Sequence, residues 1–191
     1  MANEWARKVG QMLRHVRPGL GALVSSRLTT GSHGMVISSP AFADGATLPR
    51  RFTQDGESLF PPLLWDKIPP GTQSLALLVE DADAPFPRPL VHAVLHSIPP
   101  SLSGIPEGGV PARQTRTSPL GFMAGRNSMA RAGWMAPSPI AGHGPHRYAF
   151  QLLAFDAVPQ FATPPGRGTL LRAMKGNVIA VARVIGVYRR G

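Results

Sequence analysis

The chain has 191 residues, no cysteine and a formal net charge of +10. The length suits a single domain with a substantial core. The lack of cysteine excludes disulfides, thiolate zinc sites and cysteine nucleophiles, and it fits a reducing, cytoplasmic compartment. Glycine and proline number 21 each, a composition that favours short strands and ordered loops over a helical bundle.

The positive charge predicts an anionic partner, such as a phospholipid surface, a phosphorylated protein or a nucleic acid. The basic residues are scattered along the chain rather than clustered, so a nucleic acid is the least favoured of the three. No apolar run reaches the ~18 to 20 residues that cross a bilayer, and no signal-peptide core follows the N-terminal charges.

Residues 1–34 differ from the rest and are predicted to form a basic extension. Apolar side chains recur there at helical spacing, with most basic residues on the other side and Pro18-Gly19 as the end of the pattern. The apolar residues are Trp5, Val9, Met12, Leu13 and Val16. Such an amphipathic helix has three possible partners: an anionic membrane surface, a second copy of the chain in a homodimer, or its own domain.

The segment Ser25–Gly34 is predicted to link this extension to a main domain over residues 35–191. From Met35 onward the pattern is one of strands and turns, with one short helix over Thr169–Lys175 that Gly176 ends. The predicted strands are Leu75–Glu80, Val91–Ile98, Tyr148–Phe155 and Val178–Tyr188. The expected fold is mainly β, an antiparallel or mixed sandwich with few helices.

Polar residues bunch at the end of the strand Leu75–Glu80. Alternation along an extended chain places Asp81 and Asp83 on one face, continuing the apolar row of that strand. His92 follows shortly after. The functional interpretation is a polar site at the strand end. The structural alternative is a solvated turn, since Asp and Pro are ordinary turn residues.

A second polar segment runs from Gly142 to Tyr148. His146 and Tyr148 are two residues apart, so a strand places both on one face and Arg147 on the other. The preceding glycines permit a tight loop whose amides can face an anion. A histidine and a tyrosine at the mouth of an apolar strand indicate a pocket.

A metal site and a hydrolase site are the alternatives for these residues. Asp81, Asp83, His92 and His146 are acceptable metal ligands, but no local HxH or HxxxH spacing supports a metal. A hydrolase or lyase would use Asp81, His92 and His146. No G-x-S-x-G motif is present, and Ser138 lies between two prolines with no evident base.

These segments resemble the two signatures of the phosphatidylethanolamine-binding protein family, also called the Raf kinase inhibitor protein family, in its bacterial branch. The segment Asp81-Ala82-Asp83-Ala84-Pro85, followed by His92, is similar to the first signature, with Ala82 where the family usually has a proline. The second is present intact as Gly144-Pro145-His146-Arg147-Tyr148. Weaker similarity covers roughly residues 36–190, including an opening strand near Ser39–Phe42.

The resemblance implies a β-sandwich with a cavity for phosphate-like or carboxylate-like anions and no cofactor or metal. It places Asp81, His92, His146 and Tyr148 around the ligand together with Pro139 and Gly144, and Asp83, Pro85 and Arg147 in support. It further implies regulation of a phosphorylated protein partner or kinase pathway. Our hypothesis for the mechanism is that Asp81 orients and charges His92, which holds the anion with His146 and Tyr148.

Overall fold

The structure, a computed structural model, describes residues 2–28 and 31–190. Its strands are β1 (Val36–Ser38), β2 (Leu63–Asp66), β3 (Ser74–Asp81), β4 (Leu90–Ile98), β5 (Gly104–Ile105), β6 (Met123–Gly125), β7 (His146–Phe155) and β8 (Val178–Tyr188). Its α-helices are α1 (Ala2–Leu13), α2 (Val24–Arg27) and α3 (Arg167–Met174), with 3₁₀ turns at Leu20–Ala22 and Arg50–Phe52.

The strands form two antiparallel sheets, which confirms the mainly β prediction. The smaller sheet has the order β1-β2-β5 and the larger the order β6-β4-β3-β7-β8. The main core contains side chains from both sheets, while α2 and α3 cover part of the outer face of the larger sheet. The central strand β3 is buried along all eight residues, which explains its nearly continuous apolar sequence.

The four predicted strands and the predicted C-terminal helix are all present. The helix α3 begins two residues before the predicted start, and Gly176 adopts φ +84° beyond its end, a backbone that glycine adopts without strain. The opening strand lies at 36–38 rather than 39–42, where only an isolated bridge joins Ser39 and Phe42.

The N-terminal segment packs on the larger sheet. Gly19 N donates to the carbonyl of Ala82 (2.8 Å), and Val24 N donates to Oε2 of the buried Glu80 (3.0 Å). Residues 24–27 are therefore a turn of helix tied to the domain, so the predicted linker is wrong over its first residues. Residues 29 and 30 of that linker lie outside the described residues.

The predicted N-terminal helix is confirmed over Ala2–Leu13. Its apolar stripe is divided between two environments: Val9 and Leu13 are half-buried, whereas Trp5 is 71% and Met12 81% exposed. The helix thus contacts its own domain and still presents an apolar edge, and the membrane contact and the homodimer stay predictions. None of the helices in the described part of the chain is both long and apolar enough to span a bilayer.

Candidate functional site

The two polar segments meet at one end of the larger sheet. Asp81, the last residue of β3, lies opposite Leu90 at the start of β4 and opposite Tyr148 near the start of β7. The adjacent strands therefore bring His92, His146 and Tyr148 to the end of β3. The side chains of Asp81, His92, His146 and Tyr148 are all buried at this point.

His92 reaches this cluster through an irregularity in β4. Val91 and Ala93 pair with the consecutive residues Glu80 and Val79, which leaves His92 as the extra residue. A bulge of this kind redirects a side chain relative to strict alternation. As a result His92 lies with its ring edge against Tyr148, at 5.1 Å between the ring centres, and on the cavity.

Asp81 is paired with His146 rather than with His92, which corrects our hypothesis. Its Oδ2 lies 2.7 Å from Nδ1 of His146. Its Oδ1 accepts the backbone N–H groups of Asp83 (2.8 Å) and Ala84 (3.1 Å). These two hydrogen bonds from backbone amides hold the chain in a turn that leaves the strand directly after Asp81.

Because the strand ends there, Asp83 does not continue the row of Asp81, and the prediction that both carboxylates share a face is wrong. The buried Asp83 carboxylate accepts two hydrogen bonds from the Arg147 guanidinium (2.7 and 2.6 Å) and one from its backbone N–H (2.9 Å). Arg17 adds a second cation at 3.3 Å. The arginine hydrogen bonds and charges hold the pKa of Asp83 below its usual range despite the opposing effect of burial. This ion pair supports the turn from outside the cavity.

The cavity itself has a volume of about 240 Å³. It is lined by Gln54, Asp81, Ala84, Pro85, Phe86, Leu90, His92, Met135, Ala136, Ser138, Pro139, Ile140, His146 and Tyr148. Pro139, a predicted contact residue, and Pro85, a predicted supporting residue, are thus both in its wall. Gly144, the other predicted contact residue, instead lies against Arg17: a Cβ at this glycine would be 3.0 Å from the Arg17 guanidinium.

Two buried polar atoms in the cavity wall lack a hydrogen-bond partner among the described residues, His92 Nε2 and Tyr148 Oη. Nδ1 of His92 lies 2.5 Å from the carbonyl oxygen of Met135. A carbonyl only accepts, so Nδ1 carries the proton. In the neutral ring Nε2 is then an acceptor. An unpaired polar group in a buried position is costly, and both atoms are available to a ligand.

Burial determines the charge state of both groups. It lowers the pKa of His92, an effect that the nearby Asp81 only partly offsets. It also raises the pKa of the Tyr148 hydroxyl well above its ordinary value, with Asp81 and Asp83 adding to the rise. At neutral pH the cavity therefore presents a neutral imidazole with an acceptor nitrogen and a hydroxyl that keeps its proton.

His146 has both ring nitrogens engaged, Nδ1 by Asp81 and Nε2 by Nδ1 of His143 at 2.7 Å. The structure therefore does not offer His146 as a direct donor to a ligand, contrary to our hypothesis. His143 is a functional candidate to which the sequence pattern assigned no role. Its three-residue spacing from His146 in a glycine-rich loop was the available signal, but a contact across such a loop depends on backbone geometry.

The buried histidines predict a loss of stability in mild acid. Burial lowers the pKa of His92, His96 and His143 below the ordinary value of 6.5. The unfolded chain then binds protons first, so the free energy of unfolding falls as the pH drops below about 6.5. We expect a lower melting temperature at pH 5.5 than at pH 7.5. A His96→Leu variant should show a smaller drop, and a melting temperature constant over this range would contradict the prediction.

The geometry of the described residues does not favour the metal site or the hydrolase site. Within residues 2–28 and 31–190, no group of three or more His, Cys, Asp and Glu side chains is arranged to hold a metal ion. Two of the three proposed hydrolase residues, Asp81 and His146, hydrogen-bond each other. Ser138 does line the cavity, but no base among the described residues hydrogen-bonds to it.

These features define a mainly β protein with a small cavity at one end of its larger sheet, mostly apolar in its lining but with Asp81, His92, His146 and Tyr148 in its wall. The family model for phosphatidylethanolamine-binding protein matches residues 38–189, and the chain belongs to this family. A UPF0098 protein of Methanothermobacter thermautotrophicus is 38% identical over 157 residues, which are 82% of this chain and 100% of that protein. A UPF0098 protein of Aquifex aeolicus is 32% identical over 90% of this chain and 99% of its own length.

Solved structures support the same assignment. A putative phosphatidylethanolamine-binding protein homolog, CT736 of Chlamydia trachomatis, superposes with a TM-score of 0.74 at 29% identity, covering 84% of this chain and 100% of its own. YbcL of E. coli, described as a new member of the mammalian family, gives a TM-score of 0.75 at 25% identity, covering 82% and 99%. Residues 2–37 precede the segment that the family model matches.

Proposed function

We propose that the chain is a binding protein for small oxyanions that carry a proton, such as a phosphate monoester monoanion or inorganic phosphate. The observation that carries this proposal is a pair of buried polar atoms, His92 Nε2 and Tyr148 Oη, in the wall of one cavity and without a partner among the described residues. A protonated oxyanion complements this pair. Its P–OH group donates to the imidazole nitrogen, and an anionic oxygen accepts from the hydroxyl.

The carboxylate of Asp81 would repel an anion if it stood alone. It is paired with His146 at 2.7 Å, and two backbone amides occupy its other oxygen. Hydrogen-bond donors on both oxygens offset part of the carboxylate's field in the cavity. The acid therefore organises the site without excluding an anionic ligand.

The proposed role is regulatory binding rather than catalysis. A cavity of this size accepts a phosphoryl group but not a folded partner, so a phosphorylated protein segment, or a lipid whose headgroup is a phosphate monoester, would present that group from outside. The wider proposal is that the protein acts in the cytoplasm and regulates a phosphorylated partner by binding its phosphate group.

The test is the pH dependence of phosphate binding by titration calorimetry. Bound phosphate carries one proton more than the dianion that dominates above its second pKa, so the complex should take up nearly one proton at pH 8. We expect the affinity to rise by roughly fivefold as the pH falls from 8 to 7, in proportion to the fraction of phosphate monoanion, and then to level. Proton uptake follows from comparing buffers with different ionisation enthalpies.

The control is a double variant, His92→Ala with His146→Ala, which should lose the phosphate heat. Affinity that is independent of pH between 6 and 8, with no proton uptake, would contradict the proposed ligand form. Equal affinity of the double variant and the natural chain would contradict the site.

A further inference from the structure

The N-terminal segment reaches the cavity through a line of hydrogen bonds. The carbonyl oxygen of Leu13, the last residue of α1, lies 2.9 Å from Nε2 of His143. Nδ1 of His143 lies 2.7 Å from Nε2 of His146, and Nδ1 of His146 lies 2.7 Å from Oδ2 of Asp81. Of the members of this line, only Leu13 precedes the family match at residues 38–189.

The donors and acceptors along this line fix the number of protons. The Leu13 carbonyl only accepts, so His143 carries its proton on Nε2 and a neutral His143 has an acceptor at Nδ1. His146 must then donate from Nε2 and also donate from Nδ1 to the Asp81 carboxylate. Burial, with His146 and Arg17 nearby, lowers the pKa of His143, which leaves His146 as the ring with two protons.

We infer that residues 2–17 are part of the anion-binding site, because the Leu13 carbonyl and His143 together keep His146 doubly protonated beside the cavity. This inference rests on the proposed function for its effect on ligand affinity. His143 is a positioning residue that acts through His146. The charged or titratable groups around this pair are Asp81 from β3, His92 from β4, Tyr148 from β7, and Arg17 on the His143 carbonyl.

Loss of the Leu13 contact would change the charge of the cavity by one unit. Without that acceptor, His143 can carry its single proton on Nδ1 and donate it to His146 Nε2. His146 is then neutral, with one proton on Nδ1 facing Asp81, and the released proton goes to solvent. The carboxylate charge is no longer balanced, so an anion binds more weakly.

Gly10 provides a way to disturb this contact from outside the cavity. It is buried where α1 crosses the loop before β7. A Cβ there would lie 2.1 Å from the carbonyl oxygen of Ala141 and 2.7 Å from the backbone nitrogen of His143. Both distances are shorter than any real Cβ contact, so Gly10→Ala must displace α1 or the loop. Gly21→Ala is the matched control, since a Cβ at Gly21 meets nothing within 4 Å.

The experiment measures histidine ring ¹⁵N shifts in the full chain and phosphate affinity by calorimetry, both at pH 7. In the natural chain and in Gly21→Ala, His146 should show two protonated ring nitrogens. In Gly10→Ala, and in the bulkier Gly10→Leu, His146 should show one, and phosphate should bind about tenfold more weakly.

The ¹⁵N shifts need no ligand, so they separate this inference from the proposed function. A natural chain that binds no phosphate would overturn the proposed function, while the proton count on His146 would still decide the inference. A single ring proton on His146 in the natural chain would overturn the inference. A second result would also overturn the inference. It is a Gly10 variant that has lost the His143 Nε2–H signal, and so the Leu13 contact, while His146 keeps both ring protons and the protein binds phosphate with full affinity.

Discussion

Tyr148→Phe should weaken phosphate binding by about ten- to a hundred-fold, because it removes a hydroxyl that donates a charge-assisted hydrogen bond worth about 1.5 to 3 kcal/mol. The same change should leave the unliganded protein as stable as before, or slightly more stable. The reason is that Tyr148 Oη is buried without a partner among the described residues, so its removal ends a desolvation cost.

Tyr188→Phe is the matched control, because it makes the same chemical change in the chain's other tyrosine. The Tyr188 hydroxyl lies 2.8 Å from Oδ2 of Asp55, away from the cavity lining. We expect a loss of about 1 kcal/mol in the free energy of unfolding and no change in phosphate affinity. Calorimetry and urea unfolding on both variants provide the comparison. Equal affinity losses in the two would exclude Tyr148 as a specific ligand contact.

Arg167→Leu should cost about 3 kcal/mol or more of unfolding free energy, because it leaves a buried carboxylate without its counter-ion. Glu80 is fully buried in the central strand, and its Oε1 accepts a hydrogen bond from Nε of Arg167 at 2.5 Å. Its Oε2 is held by the Val24 amide (3.0 Å) and by Gln151 Nε2 (2.8 Å). Those neutral donors offset only part of the lost charge pair.

Arg172→Leu on the same helix is the control for Arg167→Leu. The Arg172 guanidinium is exposed, and its one hydrogen bond to a described residue goes to the Thr169 hydroxyl, so the change in stability should stay within about 0.5 kcal/mol. A double variant, Arg167→Leu with Glu80→Gln, should recover part of the loss because it removes the buried charge. Urea unfolding that gave the same midpoint for both leucine variants would contradict the role assigned to the Glu80 pair.

The strands and the meeting of the two polar segments could be predicted from the sequence. Uninterrupted apolar runs define buried strands such as β3, and the family signatures indicated that Asp81, His92, His146 and Tyr148 lie together. The partners within the cluster could not be predicted. Which histidine faces Asp81 depends on a bulge at His92 and on the turn that ends β3. Neither feature can be recognised from the alternation of polar and apolar residues.

The N-terminal segment shows a second limit of sequence reasoning. Its apolar spacing predicted the helix correctly, but spacing alone does not identify what a helix contacts. The contacts that tie it down are backbone groups, among them Leu13 O, Gly19 N and Val24 N. Every residue carries such groups, so their partners follow only from the folded chain.

The most direct measurement is the ¹⁵N spectrum of the histidine rings at pH 7.5, recorded while phosphate is added. Nε2 of His92 should shift from the position of an unprotonated nitrogen toward that of a hydrogen-bonded one as the cavity fills. His96 is the internal reference, since its Nε2 is also buried without a partner among the described residues but does not line the cavity. A His92 signal unmoved at saturating phosphate, or equal shifts at both rings, would contradict the account.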